Sequence, residues 1–232
     1  MAQIKDGKLI FKVATYNLAA EHYCKDHPEL LAFDIRDSGA DIVGLQEVDL
    51  FTRRTGERDM LAELAEKAGY PHRRFVRAID FQGGQYGTAI LSKHPIEEME
   101  LRNLDSTNEK RSIGRFKIDV LGEKINYFNT HLSYVPDELL SHLDQVAKIL
   151  DNYESYIITA DFNTNNFSLF NIFHGHRLAN NAENELLSYH PSGAGIDNII
   201  MTEDFDYSEP RLGTKEHSDH CMLSAVIVKE VK

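Results

Sequence analysis

Apolar positions along this chain recur with two different periods. Short runs that are apolar on nearly every residue predict strands, and between them lie stretches whose apolar residues recur at helical spacing. Strands are predicted over 9–17 and 41–48, joined by a helix over 29–38 that Gly39 closes. A second helix over 59–68 places Met60, Leu61, Leu64, Ala65 and Ala68 on one face and stops at Gly69. A strand over 88–92 precedes Pro95, and strands over 113–121 and 124–130 pair through Gly122-Glu123, a type II′ hairpin signal. Pro136 suits the first turn of a helix reaching about Tyr153, with Leu139, Leu140, Leu143, Val146, Ala147 and Leu150 on one face. Strands over 155–160, 196–201 and 222–228 complete the pattern. Strands this apolar are buried on both faces, so the expected class is α/β, sheets covered by helices. Without a Gly/Ser or Pro-rich linker, a low-complexity segment or an internal repeat, one domain over 1–232 is expected.

Charge narrows the range of partners. The 232 residues carry 25 Lys plus Arg against 37 Asp plus Glu, a formal net charge of -12. Nucleic-acid affinity comes largely from basic residues neutralising phosphates, so tight non-specific duplex binding is disfavoured. The charge is uneven: segment 53–77 holds seven basic residues against four acidic ones, and reads as a local positive lip for an anionic substrate, with Arg54 as a substrate contact. The longest apolar runs, 196–201 and 222–228, fall far short of the ~18 residues of a membrane helix. The N-terminus lacks an apolar signal core, so a soluble, cytoplasmic protein is expected. Cys24 and Cys221 stand far apart and form no metal-ligand spacing, which predicts two reduced thiols. The pairs His174/His176, His217/His220 and the trio His22, Cys24 and His27 are weak zinc candidates.

Candidate chemistry sits where the strands stop. Five ends deliver an acid, amide or imidazole: Thr15-Tyr16-Asn17, Leu45-Gln46-Glu47, Asn129-Thr130-His131, Asp161-Phe162-Asn163 and Ser218-Asp219-His220. A sixth strand opens on Ile196-Asp197-Asn198. Strand ends of a rigid scaffold are where sites are built, and convergence of these six would make one oxygen-rich cleft.

In this order the TYN, LQE, NTH, DFN, ID and SDH motifs resemble the endonuclease/exonuclease/phosphatase superfamily, metal-dependent phosphoesterases with the deoxyribonuclease I-like fold. The stretches Leu45-Gln-Glu-Val-Asp and Tyr86-Gly-Thr-Ala-Ile-Leu-Ser-Lys-His-Pro-Ile are similar to its compact bacterial branch. The resemblance implies a four-layer sandwich, two packed mixed sheets flanked by helices. It implies Glu47 as principal metal ligand with Asn17 and Asp219 near it, Asp161 as general base or water-orienting carboxylate, and Asn163 on the nucleophile or a phosphate oxygen. His220, oriented by Asp197, would face the phosphate, and His131 would contact a non-bridging oxygen or help the leaving group. Mg²⁺, or Mn²⁺, suits such oxygen ligands better than Zn²⁺. The expected activity is hydrolysis of a small or lipid-linked phosphodiester or phosphomonoester; a DNA or RNA nuclease is the alternative, with 53–77 as its backbone-binding lip.

Overall fold

Residues 1–19 and 27–231 are described by the computed structural model, so Cys24 and His22 lie outside the described residues. In chain order the strands are β1 (Gln3–Lys5), β2 (Lys8–Asn17), β3 (Ile42–Leu50), β4 (His72–Phe81), β5 (Gly84–Ser92), β6 (Ile96–Leu104), β7 (Arg111–Val120), β8 (Glu123–His131), β9 (Ile157–Asp161), β10 (His176–Leu178), β11 (Asp197–Thr202), β12 (Phe205–Leu212) and β13 (Leu223–Glu230). The helices are α1 (Pro28–Ser38), α2 (Met60–Ala68) and α3 (Pro136–Leu150). One sheet runs β12-β13-β2-β3-β5-β4 with β1 paired to β2, and the other runs β10-β11-β9-β8-β7-β6.

Each sheet has one parallel pair, β2/β3 in the first and β8/β9 in the second; the other neighbours are antiparallel. A parallel pair needs a crossover, and a helix supplies it in both cases: α1 between β2 and β3, α3 between β8 and β9. Pro28 opens α1, and Gly39 closes it in the left-handed region at φ 69°. Asp59 caps α2 by accepting the Ala62 N–H at 2.8 Å.

Apolar side chains from both sheets, among them Phe11, Val13, Ile42, Phe116, Tyr127, Ile157, Ile199 and Leu223, form the central core. Leu31, Ile35, Leu61 and Leu64 of the first two helices pack on Val43, Leu45 and Leu91. Leu143, Val146 and Leu150 of α3 pack on Phe128 and Ile158. These three cores define four layers, helix, sheet, sheet, helix, as expected. Among the described residues no helix is long and apolar enough to cross a membrane.

Buried polar groups pin the sheets together beneath the strand ends. Gln46 Nε2 donates to Asn129 Oδ1 at 2.8 Å, and Asn129 Nδ2 donates to the Leu45 and Ala89 carbonyls at 2.9 Å each. Gly44 lets the sheets meet here: a Cβ on it would lie 2.2 Å from Thr159 Oγ1 and 2.6 Å from Asn129 Oδ1.

The β7/β8 turn corrects an expectation. Val120 pairs with Glu123, so the turn residues are Leu121 and Gly122, both left-handed at φ 56° and 97°. Two consecutive positive φ values mark a type I′ turn, not type II′ with Gly122-Glu123.

Candidate active site

The parallel pairs deliver their C-terminal ends to one edge of the sandwich. Asn17 ends β2 and Glu47 lies near the end of β3, while His131 and Asp161 end β8 and β9 side by side. Asp197 opens β11 directly opposite Asp161. The loop before β13 brings in Asp219 and His220, held by Ser218 Oγ donating to the Asn17 carbonyl at 2.8 Å. Two backbone devices aim the side chains. Register slips between Leu45 and Val48, and at this bulge Glu47 adopts φ 56°; Asn163, just past β9, adopts φ 54°. Left-handed backbone at a residue with a β-carbon costs about 1–2 kcal/mol, the kind of strain that clusters at functional sites.

The six ends meet. Asn17 Nδ2 donates to Glu47 Oε1 at 3.2 Å and to Asp161 Oδ2 at 3.0 Å. His220 Nδ1 pairs with Asp197 Oδ2 at 2.8 Å, and its Nε2 lies 3.6 Å from Asp161 Oδ2 and 4.0 Å from Asp219 Oδ1. Ser188 Oγ donates to the same Asp197 oxygen at 2.6 Å. The Asn163 N–H donates to Asp161 Oδ1 at 2.9 Å, and its side-chain nitrogen donates to the Leu132 carbonyl at 2.9 Å.

Electrostatics assign the proton positions. Burial works against a charged His220, but Asp197 and then Asp161 outweigh it and hold the imidazolium well above the ordinary histidine range. Burial pushes the Asp161 carboxyl upward, while the His220 charge and the Asn17 and Asn163 hydrogen bonds act to keep it ionised. Glu47 is likewise raised by burial, with Asn17 opposing. His131 goes the other way: burial and then Arg111 hold it well below the ordinary range, so it is neutral. Arg111 Nη1, which only donates, sits 3.1 Å from His131 Nδ1. The other ring nitrogen, Nε2, lies between the Asn163 side-chain nitrogen at 3.1 Å and Asp161 Oδ2 at 3.4 Å.

These groups border a cleft of about 720 Å³. Glu47, His131, Asp161, Asn163, Asp219 and His220 line it; Asn17 and Asp197 sit behind its surface at 1% and 0% exposure. Arg54 also lines it, but its guanidinium is clamped by Asp49 at 2.6 and 2.9 Å and lies over the Phe81 and Tyr86 rings, 4.7 and 5.2 Å from their centres. The expected basic lip over 53–77 does not form as one surface. Arg54 turns inward, Arg58 pairs with Glu63 at 3.6 Å, and Arg77 pairs with Asp80 at 2.6 Å on β4. His217 and His220 do not converge on an ion, because their rings are taken by Asp34 and Asp197.

Sequence reasoning missed Arg111, Glu109, Tyr86, Tyr134 and Tyr189 on the cleft wall. The signal for Arg111 was present: in an antiparallel hairpin the start of β7 lies beside the end of β8, which puts Arg111 next to His131.

Residues 14–220 match the model of the Endonuclease/Exonuclease/phosphatase family. The chain belongs to this family. Its members are hydrolases of phosphoester bonds. A family protein from Beutenbergia cavernae superposes with a TM-score of 0.81 at 19% identity, over 94% of this chain and 71% of that one. The mannosyl-6-phosphatase of Bacteroides thetaiotaomicron gives 0.69 at 14% identity, over 94% and 99%. D. rerio TDP2 complexed with a single-strand DNA product gives 0.74 at 14% identity, over 94% and 98%. No curated protein matches the sequence.

The family is metal-dependent, and the residues present fit a hard cation. Glu47 and Asp219 offer carboxylate oxygens to the cleft, and a carboxylate whose charge burial disfavours is what a divalent cation stabilises. Asn17, expected beside the metal, has its oxygen accepting the Ala19 N–H at 3.0 Å and its amide nitrogen facing Glu47. Asp161, Asp197 and His220 have ligand atoms within 4.8 Å of one another. His220 carries a proton there and is bonded to Asp197, so this trio is a hydrogen-bonded dyad with its neighbour.

Proposed function

We propose that this protein is a Mg²⁺-dependent phosphoester hydrolase of small or lipid-linked substrates. One observation carries the reading: a buried carboxylate, Asp161, lies within 3.6 Å of an imidazolium that Asp197 locks in place, with Glu47 linked to the same carboxylate through one amide. Phosphoester hydrolysis needs a proton acceptor for water, a cation for the charge on phosphorus-bound oxygens, and fixed geometry. Mg²⁺, with Mn²⁺ as substitute, would be held by Glu47 and Asp219 and would polarise the phosphoryl oxygens. Asn17 then braces Glu47 and Asp161 against each other.

Asp161 Oδ2 accepts the proton of the attacking water, and the Asn163 N–H fixes the other oxygen of that carboxylate. His220 holds its Nε2 proton toward the phosphate, and Asp197 fixes its tautomer through Nδ1. Neutral His131 lines the cleft beside Asn163 and Asp161 and contacts a non-bridging oxygen. Tyr134, Tyr189 and Ile196 shape the wall around the leaving group.

A second reading, a nuclease, rests on Arg73, Arg74 and Arg77, which stand exposed along β4. The net charge of -12 opposes it. A metal-supplemented panel of bis-p-nitrophenyl phosphate, p-nitrophenyl phosphate, a supercoiled plasmid and a choline phospholipid tests both. Turnover of the small or lipid esters, lost on chelation, is expected; plasmid cleavage with a steep loss of DNA affinity in salt would favour the nuclease. No turnover of any member would overturn the reading.

A further inference from the structure

The cleft wall holds a cation that the proposed mechanism leaves unused. Arg111 is 6% exposed, yet its guanidinium has few protein partners. Nη1 meets Glu109 Oε1 at 2.5 Å and His131 Nδ1 at 3.1 Å, while Nε is buried without a protein partner. A guanidinium carries five N–H donors, and a buried one left short of acceptors is costly unless an anion supplies them. Its ion-pair partner is unlike it in burial: the Glu109 side chain is 43% exposed. Arg54, the other arginine of the cleft, is instead clamped by two hydrogen bonds to an Asp49 that is fully buried.

Glu109 also stands where two cavities join. It lines both the catalytic cleft and a neighbouring groove of about 620 Å³ between the edge strands β4 and β6, which is also lined by Lys110 and by Arg77 with its partner Asp80. The carboxylate thus has a polar place to go when it leaves Arg111, with the Lys110 side chain on the same groove.

We propose that Arg111 is a phosphate-binding residue of this cleft and that Glu109 is its displaceable counter-anion, occupying the guanidinium until the phosphate of a substrate takes its place. A phosphate, with its several oxygens, satisfies more of the guanidinium donors than one carboxylate oxygen does, and Arg recognises it as a planar fork. Glu109 then acts as a selectivity device: a weakly anionic ligand does not displace it, a phosphate does. This inference rests on the phosphoesterase reading and adds the residue that receives the phosphate.

The test is direct titration of inorganic phosphate by calorimetry into the wild-type full chain, Glu109→Gln, Arg111→Gln and Arg111→Lys, with bis-p-nitrophenyl phosphate turnover measured in parallel. Glu109→Gln, a change at an exposed side chain, is expected to tighten the phosphate Kd by about tenfold, because the competing charge is gone. Arg111→Gln is expected to weaken it by about tenfold or more. Should that variant fail to fold, Arg111→Lys, which keeps charge but loses the fork, is expected to weaken it by several-fold. Phosphate affinity unchanged or weakened in Glu109→Gln would overturn the proposal, even with wild-type turnover intact. Absence of wild-type turnover would instead strike the phosphoesterase reading, and the calorimetry would still judge the Glu109–Arg111 pair.

Discussion

His220 and Asp197 show most plainly how single residues are tuned in this molecule. Burial would empty the imidazole of its proton, and two carboxylates reverse that, raising its pKa to about 10. A histidine whose folded pKa is raised contributes stability that is fully present below about pH 6.5 and is lost as pH rises through the folded value. Asp197→Asn removes the nearest charge, so the His220 titration followed by NMR on metal-free protein is expected to fall toward the ordinary histidine range. A His220 titration that stays where it was would show that Asp197 is not the controlling group. Most site residues were legible because each motif carried its chemistry at a strand end. Within those motifs, however, neighbours part ways: Gln46 turns between the sheets while Glu47 turns to the cleft. Side-chain alternation along a strand predicts such a split in general, but the bulge that places Glu47 at φ 56° breaks that alternation.

Elements were legible in proportion to their burial. The central strands β2, β3, β8, β9, β11 and β13 and all three helices were found with ends shifted by a residue or two, and by about three at the end of α3. The edge strands were not. In β6, seven consecutive residues are exposed, its sequence is Ile-Glu-Glu-Met-Glu-Leu-Arg-Asn-Leu, and no apolar period survives where there is no second layer to face. β12 contains Pro210, and β4 carries Arg73, Arg74 and Arg77, which read as surface charge. Two predictions belong at this scale. Gly44→Ala forces a Cβ into the contact between sheets and is expected to lower stability by about 1–3 kcal/mol in denaturant melts; an unchanged midpoint would mean the sheets do not meet there. Glu138, in the first turn of α3, accepts the Thr107 and Asn108 N–H groups at 2.5 and 3.1 Å, and the Ser133 hydroxyl first, then these two N–H groups, lower its pKa to about 2. Its contribution is present above about pH 4.5 and is lost as pH falls toward 2. Glu138→Ala is expected to lose about 2 kcal/mol at pH 7 and less at pH 3, and an equal loss at both would rule the carboxylate out as the cause.

At the scale of the whole molecule, two sheets with one parallel pair each bring four acids, Glu47, Asp161, Asp197 and Asp219, to one edge of a chain already at -12. The positive charges there are His220, Arg54 and Arg111, and the two arginines are paired to acids of their own. Mg²⁺ is therefore expected to raise the melting temperature, since a ligand bound only by the folded state stabilises by about 2.7 kcal/mol at 100 times its Kd. Chelator and Mg²⁺ giving the same melt would count against the cation site. The central claim is that Asp161 takes a proton from the attacking water in a metal-assisted phosphoester cleavage. Its most direct test is kcat for bis-p-nitrophenyl phosphate in Mg²⁺, measured for the wild type and for folded Asp161→Asn side by side. A fall of at least about 10²-fold is predicted, and turnover within a few-fold of the wild type would contradict it.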